Sequence, residues 1–166
     1  MEKVVTIRNG AVGCGGASLL AKHGKMLNNN IKSDLINTME PYTLTVFLED
    51  TDASGYVYHA RYLQFMERAR TTAFYHKGID HAQMISHGSM FVVTHCGVDY
   101  KAPAKLADVL TIHTAIDSIG PARITLTQTI ATATKMLVKA KITLACIFLS
   151  GSIKRIPLSL IQKLKD

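Results

Sequence analysis

At 166 residues, 48% hydrophobic and 19% charged, the chain has the length and balance of one globular domain with a real core. No apolar run approaches the ~20 residues that a membrane-spanning helix needs. Three cysteines (Cys14, Cys96, Cys146) without C-x-x-C spacing imply neither a disulfide framework nor a zinc knuckle. The net charge of +7 favours an anionic partner, whether nucleic acid, an acidic protein or a phosphate-bearing cofactor.

Residues 1–38 differ from the rest. "GAVGCGGASLLAKHGK" is glycine-rich and "NNNIKSD" reads as a polar turn or linker. Five Lys/Arg stand against two acids here, so three of the seven net charges belong to this segment and +4 is left for the remainder. Lys3 and Arg8 precede an apolar patch, as in a signal peptide, but Gly13, Gly15 and Gly16 break it and no A-x-A cleavage site follows. A transit peptide is a second reading. A third takes Met39 as the true start, with a poorly ordered or over-called extension upstream. The third is preferred because regular patterning begins at Tyr42. The expected division is therefore an extension over 1–38 and one domain over 39–166.

From Tyr42 the elements follow in order. "YTLTVFLED" alternates and predicts a strand over 42–49. After an acid-rich junction, "HARYLQFMERARTTAFYHKG" places Tyr62, Met66, Ala69 and Ala73 at helical spacing, with Leu63 and Phe74 widening the stripe. Gly78 closes this helix. Its 18–19 residues, at ~1.5 Å each, make a rod of nearly 30 Å. A short helix is predicted across "DHAQMISHG". Four strands follow: "SMFVVTHCGVDYKAP", "ADVLTIHTAIDSIG", "ARITLTQTIATAT" and "KMLVKAKITLACIFLS". "PLSLIQKLKD" predicts a short amphipathic helix with Pro157 in its first turn. One strand, one long helix and four mostly antiparallel strands make an α+β domain. Cys96 and Cys146 fall in strand-like runs, where small buried thiols are expected.

The junction "EDTDASGYVYHARY" puts Glu49, Asp50 and Asp52 within four residues. By composition alone it admits a polar loop, a metal site or a poised carboxylate. The metal reading is poor, since no histidine or further acid completes a coordination set. An acid before a helix is also a common cap.

The string Asp50-x-Asp52-x-x-Gly55-x-Val57-Tyr58-His59, followed by a helix bearing Phe65-x-Glu67-x-Ala69-Arg70, resembles the hotdog-fold acyl-CoA thioesterases. It is most similar to the YbgC-like branch associated with the Tol–Pal system, in the 4-hydroxybenzoyl-CoA thioesterase superfamily. Tyr100-x-x-Pro103, Asp108 before "VLTIHT", and "ACIFLS…KRIP" agree, so the resemblance spans roughly 42–158. It implies a long central helix wrapped by a curved antiparallel sheet of about five strands. It also implies edge-to-edge homodimers, tetramers in many members, and active sites at the dimer interface. The implied activity is hydrolysis of acyl-CoA, or of acyl-carrier protein, to free acid and thiol in the cytoplasm. Coenzyme A is then part of the substrate and no resident cofactor is expected.

Within the resemblance Asp52 matches the catalytic carboxylate, as general base on water or as nucleophile. The His59 backbone N–H matches the oxyanion donor, at a helix start whose free N–H groups and dipole favour negative charge. For the His59 side chain, proton transfer and a structural role stay open. Gly55, lacking Cβ, is expected to let the loop approach substrate. Tyr58 is read as a packing or pocket-lining aromatic. Glu67 is a rival carboxylate, since another hotdog branch uses a helix-borne Glu, or else an ion-pair partner of Arg68 or Arg70. Glu49 and Asp50 are expected to brace the turn. Lys101, Lys105, Arg123, Lys135 and Lys154 are candidates for coenzyme A phosphates, with Arg123 favoured by its Gly120-Pro121-Ala122-Arg123 turn. His76, His81, His87, His95 and His113 form no metal or catalytic pattern.

Three other classes compete with this reading. A hotdog dehydratase needs a His-Phe-Pro signature that is absent. A non-catalytic acyl-thioester-binding or scaffold protein of the Tol–Pal and phospholipid machinery, peripherally associated with inner-membrane proteins, is the main alternative. Nucleic-acid binding is disfavoured because the basic residues are spread along strands without a recognition motif.

Overall fold

The computed structural model describes residues 38–165. The readings of the N-terminal extension lie, but for Thr38, outside the described residues. The chain forms β1 (Tyr42–Thr45), α1 (Arg61–His76), α2 (His81–Ser86), β2 (Ser89–Tyr100), β3 (Val109–Ile119), β4 (Arg123–Ala131), β5 (Met136–Phe148) and α3 (Leu158–Lys165). The five strands form one sheet in the order β1-β3-β4-β5-β2, with every neighbouring pair antiparallel. Register shifts at Val93/His95, Ile116/Ser118 and Ile130/Ala131 mark bulges that bend their strands, so the sheet curls around α1.

Two boundaries differ from the sequence reading. β1 ends at Thr45 rather than 49. The Asp50 carboxylate accepts the Phe47 N–H at 2.9 Å, which closes a 3-10 turn over Leu48–Asp50 and takes the chain off the sheet. α1 has 16 residues and starts at Arg61, because the Tyr58 N–H donates backward to the Asp50 carbonyl and not into a helix. Its C-terminus is as expected. Gly78 adopts φ +68°, the Gly78 N–H bonds the Tyr75 carbonyl and the Ile79 N–H bonds that of Phe74. That is a Schellman cap, which glycine enters without a Cβ penalty.

The predicted stripe of α1 is buried at Tyr62, Met66, Ala69, Ala73 and Phe74, joined by Phe65. These side chains share one core with Leu110, Ile112, Leu126, Ile130 and Leu137 of the sheet. Each large one buried contributes about 1.5–3 kcal/mol. Leu63, expected in the stripe, is 42% exposed, because its face of the helix looks along edge strand β2 and not into the sheet. Arg70, by contrast, is buried. One of its guanidinium nitrogens donates to Gln128 Oε1 at 2.8 Å, and Gln128 Nε2 donates to the Met66 carbonyl (3.0 Å) and Thr114 Oγ1 (2.8 Å). This polar tie fixes the rotation and height of α1 over β3 and β4.

Of the two cysteines in the strands, Cys146 is buried as expected and Cys96 is exposed. Cys96 lies on β2, which closes one edge of the sheet and leaves residues 93–97 open. No helix among the described residues is long and apolar enough to cross a membrane.

Candidate active site

The segment joining β1 to α1 is a folded reversal. Thr51 and Val57 bridge antiparallel, the Asp52 N–H reaches the Tyr56 carbonyl at 3.0 Å, and the Gly55 N–H returns to the Asp52 carbonyl at 2.9 Å. Gly55 takes φ +75°, and a Cβ there would meet nothing within 4 Å. Within the protein, its requirement is therefore the left-handed backbone of the turn. The reversal is fastened to the segment after β2 by a Val57 N–H bond to the Ala104 carbonyl and a Tyr56–Lys105 bridge.

Asp52 sits at the tip of this reversal, exposed. Its Oδ1 accepts the Ser54 N–H at 2.8 Å and also the Ser54 hydroxyl. Among the described residues no protein donor reaches Oδ2. The Ser54 hydroxyl, then the Ser54 N–H, and last the nearby His59 hold the carboxyl below the usual carboxylate range, against a smaller opposing effect of burial. Asp52 is thus ionised, anchored through one oxygen and open at the other.

Asp50 behaves differently. It is 3% exposed, accepts the Phe47 N–H and lies 3.6 Å from Arg61 Nε. Its carbonyl holds Tyr58, so Asp50 braces both ends of the junction, as expected. Glu49 braces through its backbone, with its carbonyl accepting Arg61 Nη2 at 2.7 Å.

The start of α1 is open. Ala60 caps it without any side-chain bond. Tyr100 Oη donates to the His59 carbonyl at 3.0 Å, while among the described residues no backbone acceptor takes the His59 or Ala60 N–H. The Tyr58 ring lies 4.4 Å from the His59 ring, and both are exposed beside the turn. Burial raises the Tyr100 phenol above its ordinary value, keeping it a neutral donor.

Asp52, Gly55, Tyr58 and His59 are therefore brought together. Glu67 and Arg123 are not part of that cluster. Glu67 stands two turns along α1, ion-paired to Arg70 and accepting the Thr71 hydroxyl at 3.2 Å. Arg123 begins β4, beyond the end of β3 opposite to the Lys105–Asp108 segment that carries the turn. Ten strand steps separate the ends of β3, roughly 30 Å. Lys105 is the nearer cation, with Nζ 5.7 Å from the centre of the Tyr56 ring. The sequence reading missed Ser54 and Tyr100. "DAS" carries the signal for the first, since an Asp readily bonds the N–H two residues on. Tyr100 stands in the sequence only within the Tyr100-x-x-Pro103 mark, and nothing local signals its bond to the His59 carbonyl, 41 residues away.

Known proteins resemble this chain in sequence and fold. An acyl-CoA thioester hydrolase named YbgC from Escherichia coli is 43% identical over 75 residues, which is 45% of this chain and 56% of that protein. The chain thus spans about half the length of the curated relatives it matches. The crystal structure of a probable thioesterase from Bartonella henselae is 36% identical with a TM-score of 0.69, covering 72% of this chain and 99% of that one. A 1,4-dihydroxy-2-naphthoyl-CoA thioesterase from Synechocystis is 25% identical with a TM-score of 0.73, covering 78% and 97%. The wrapped helix is the hotdog fold of these neighbours. The profile of the thioesterase-like superfamily matches residues 46–164, from the end of β1 into α3, and the chain belongs to that superfamily.

Proposed function

We propose that the chain hydrolyses the thioester of acyl-CoA to a free carboxylic acid and a thiol, with Asp52 as the reacting carboxylate. The observation that carries this reading is the ionised Asp52, tied through Oδ1 and, among the described residues, open at Oδ2, beside a helix start whose His59 N–H meets no backbone acceptor among those residues. A thioester carbonyl placed between them has its carbon near Oδ2 and its oxygen near the N–H. As charge builds on that oxygen, the fixed donor and the helix dipole stabilise it.

Two routes balance. Oδ2 accepts a proton as water attacks the carbon, and the tetrahedral adduct then expels the thiolate. Alternatively Oδ2 attacks the carbon itself, the thiolate leaves, and water opens the resulting anhydride. His59, exposed beside Asp52, supports the departing thiolate by delivering a proton. Tyr58 lines the mouth. Lys101 and Lys105 are favoured over Arg123 for coenzyme A phosphates within one protomer, because they belong to the segment that carries the turn. Arg123 would serve only from a second copy.

A homodimer joined through β2 fits the same reading. That strand offers a 12-residue edge carrying exposed Val93 and Tyr100, and open edges invite pairing. Acyl-carrier protein remains a proposed second carrier.

The test is thiol release from a panel of acyl-CoAs by wild type and Asp52→Asn. Asparagine can keep the turn bond to Ser54, so the variant removes the charge without unfastening the loop. A wild type silent across the panel, or an Asn variant at full rate, overturns the proposal. Single turnover in ¹⁸O water separates the two routes, since only the anhydride route can leave label in Asp52.

A further inference from the structure

Two adjoining hollows, of about 170 and 180 Å³, run between α1 and edge strand β2. The first is lined by Leu63, Met66, Val93 and Ile142, and the second by Phe74, Phe91, Val93 and Leu144. Glu67 and Arg70 line both; the rest of the lining is apolar but for Cys96 in the first and His81 in the second. The two side chains form an ion pair, and Arg70 is further held by Gln128. The pair, with Arg70 buried and Glu67 half exposed, therefore stands as a charged partition between an apolar compartment and one that mixes aromatic and aliphatic walls with His81.

The groove also points at the reacting groups. Residues 63, 67, 70 and 74 fall on one stripe of α1, and His59 lies in the turn just before it. β2 runs alongside in the opposite sense: Tyr100 meets the His59 carbonyl at one end, and the Phe91 ring lies 5.9 Å from that of Phe74 at the other. A chain leaving the thioester at His59 and lying in the groove passes Leu63 first and reaches Glu67 after eight residues, about 12 Å along the axis. An extended chain advances about 1.2 Å per bond, three bonds to a ~3.6 Å residue, so this is the reach of about ten carbons.

Resting on the thioesterase reading, we infer that the α1–β2 groove is the acyl-chain channel and that the Glu67–Arg70 pair is its length-selecting partition. Up to about ten carbons, each added methylene is buried against apolar walls. Beyond that, the chain must displace an ion pair whose arginine is held in place by Gln128. Longer straight chains are disfavoured by the charge and not by lack of space, because a second hollow, walled by Phe74, Phe91, Val93 and Leu144 with His81 at its side, lies on the far side.

The experiment is a kcat/KM series over straight-chain acyl-CoAs from four to sixteen carbons. It compares wild type, Glu67→Ala and the apolar double variant Glu67→Leu/Arg70→Met. For wild type kcat/KM climbs to about ten carbons, by up to about fourfold per methylene, and then drops at least tenfold by fourteen. In either variant the fourteen-to-ten ratio rises tenfold or more. A wild-type profile that climbs unbroken to sixteen carbons overturns the partition, as does a ratio unmoved by Glu67→Ala. Should the double variant fail to fold, these two measurements decide. Turnover of no thioester at all by wild type would instead defeat the thioesterase reading, and the channel with it.

Discussion

The polar tie between α1 and the sheet is the clearest place to test how the site is held. Gln128 is fully buried and makes three bonds, accepting from Arg70 and donating to Met66 and Thr114. Gln128→Leu keeps the volume and removes all three. The loss of an acceptor for a charged donor costs roughly 1.5–3 kcal/mol and the bond to Thr114 about another 1 kcal/mol. The Met66 carbonyl lies within α1 and retains its helical partner, so it adds little. Burying leucine in place of an amide offsets part of this, leaving a net loss of about 2–4 kcal/mol. Burial already lowers the Arg70 pKa, which shows the guanidinium to be poorly solvated and dependent on protein acceptors. For a domain of this size about 4 °C accompanies each kcal/mol, so Tm should fall by roughly 8–16 °C. The companion is Arg70→Met/Gln128→Leu. Removing both partners of a buried polar pair costs less than removing one, so the double variant should recover at least half of the loss. Urea and thermal denaturation followed by circular dichroism give both numbers. A loss under about 1 kcal/mol for Gln128→Leu, or a double variant no more stable than the single, would refute the tie as described.

Other consequences follow from the turn and from half-buried His81. Gly55→Ala forces an L side chain to φ +75° and should cost about 1 kcal/mol, with Gly55→Asn costing less; a Tm unchanged in the alanine variant contradicts the turn's demand. Because Asp52 lies below its ordinary value of 3.8, its protonation, followed by carboxyl carbon NMR, should be complete only in strong acid. Ser54→Ala removes the largest cause and should move that titration upward. Burial, then Arg70, depress His81 below 6.5. The neutral form is thus favoured in the folded state, and its stability contribution is full above pH 6.5 and lost as pH falls through the folded pKa. Wild type should accordingly lose more stability between pH 7 and 5 than His81→Gln, measured by urea denaturation at each pH.

The fold was legible because its long elements are locally consistent. Alternation in four strands and the stripe Tyr62, Met66, Ala69, Ala73 each have a single period, and Gly78 supplies its own stop signal. The failures share a cause. Thr45 ends β1, Leu63 is exposed and Arg70 is buried because of Asp50, β2 and Gln128, partners that a window of local sequence does not contain. Arg70 is the sharpest case. An arginine on a helix between Ala69 and Thr71 reads as solvated surface, and only a glutamine 58 residues on makes its burial tolerable.

The three acids of the junction show how much of the site depends on that non-local frame. Glu49, Asp50 and Asp52 are chemically alike, and spacing separates them no further. Burial and partners do. Asp50 is spent on Phe47 and Arg61, and through its carbonyl on Tyr58, so it sets where the helix can begin. That start leaves the His59 N–H outside the helical ladder, while Tyr100 pins the carbonyl of the same residue. Among the described residues Asp52 is held by Ser54 alone, on one oxygen. A carboxylate fully satisfied by the protein has no lone pair to offer a substrate, and an unanchored one has no fixed aim. Asp52 lies between these limits, and Asp50 makes that position useful by fixing the donor opposite it. Removing Asp50 should therefore cost more stability than removing Asp52, although Asp52 is the residue that would touch the substrate.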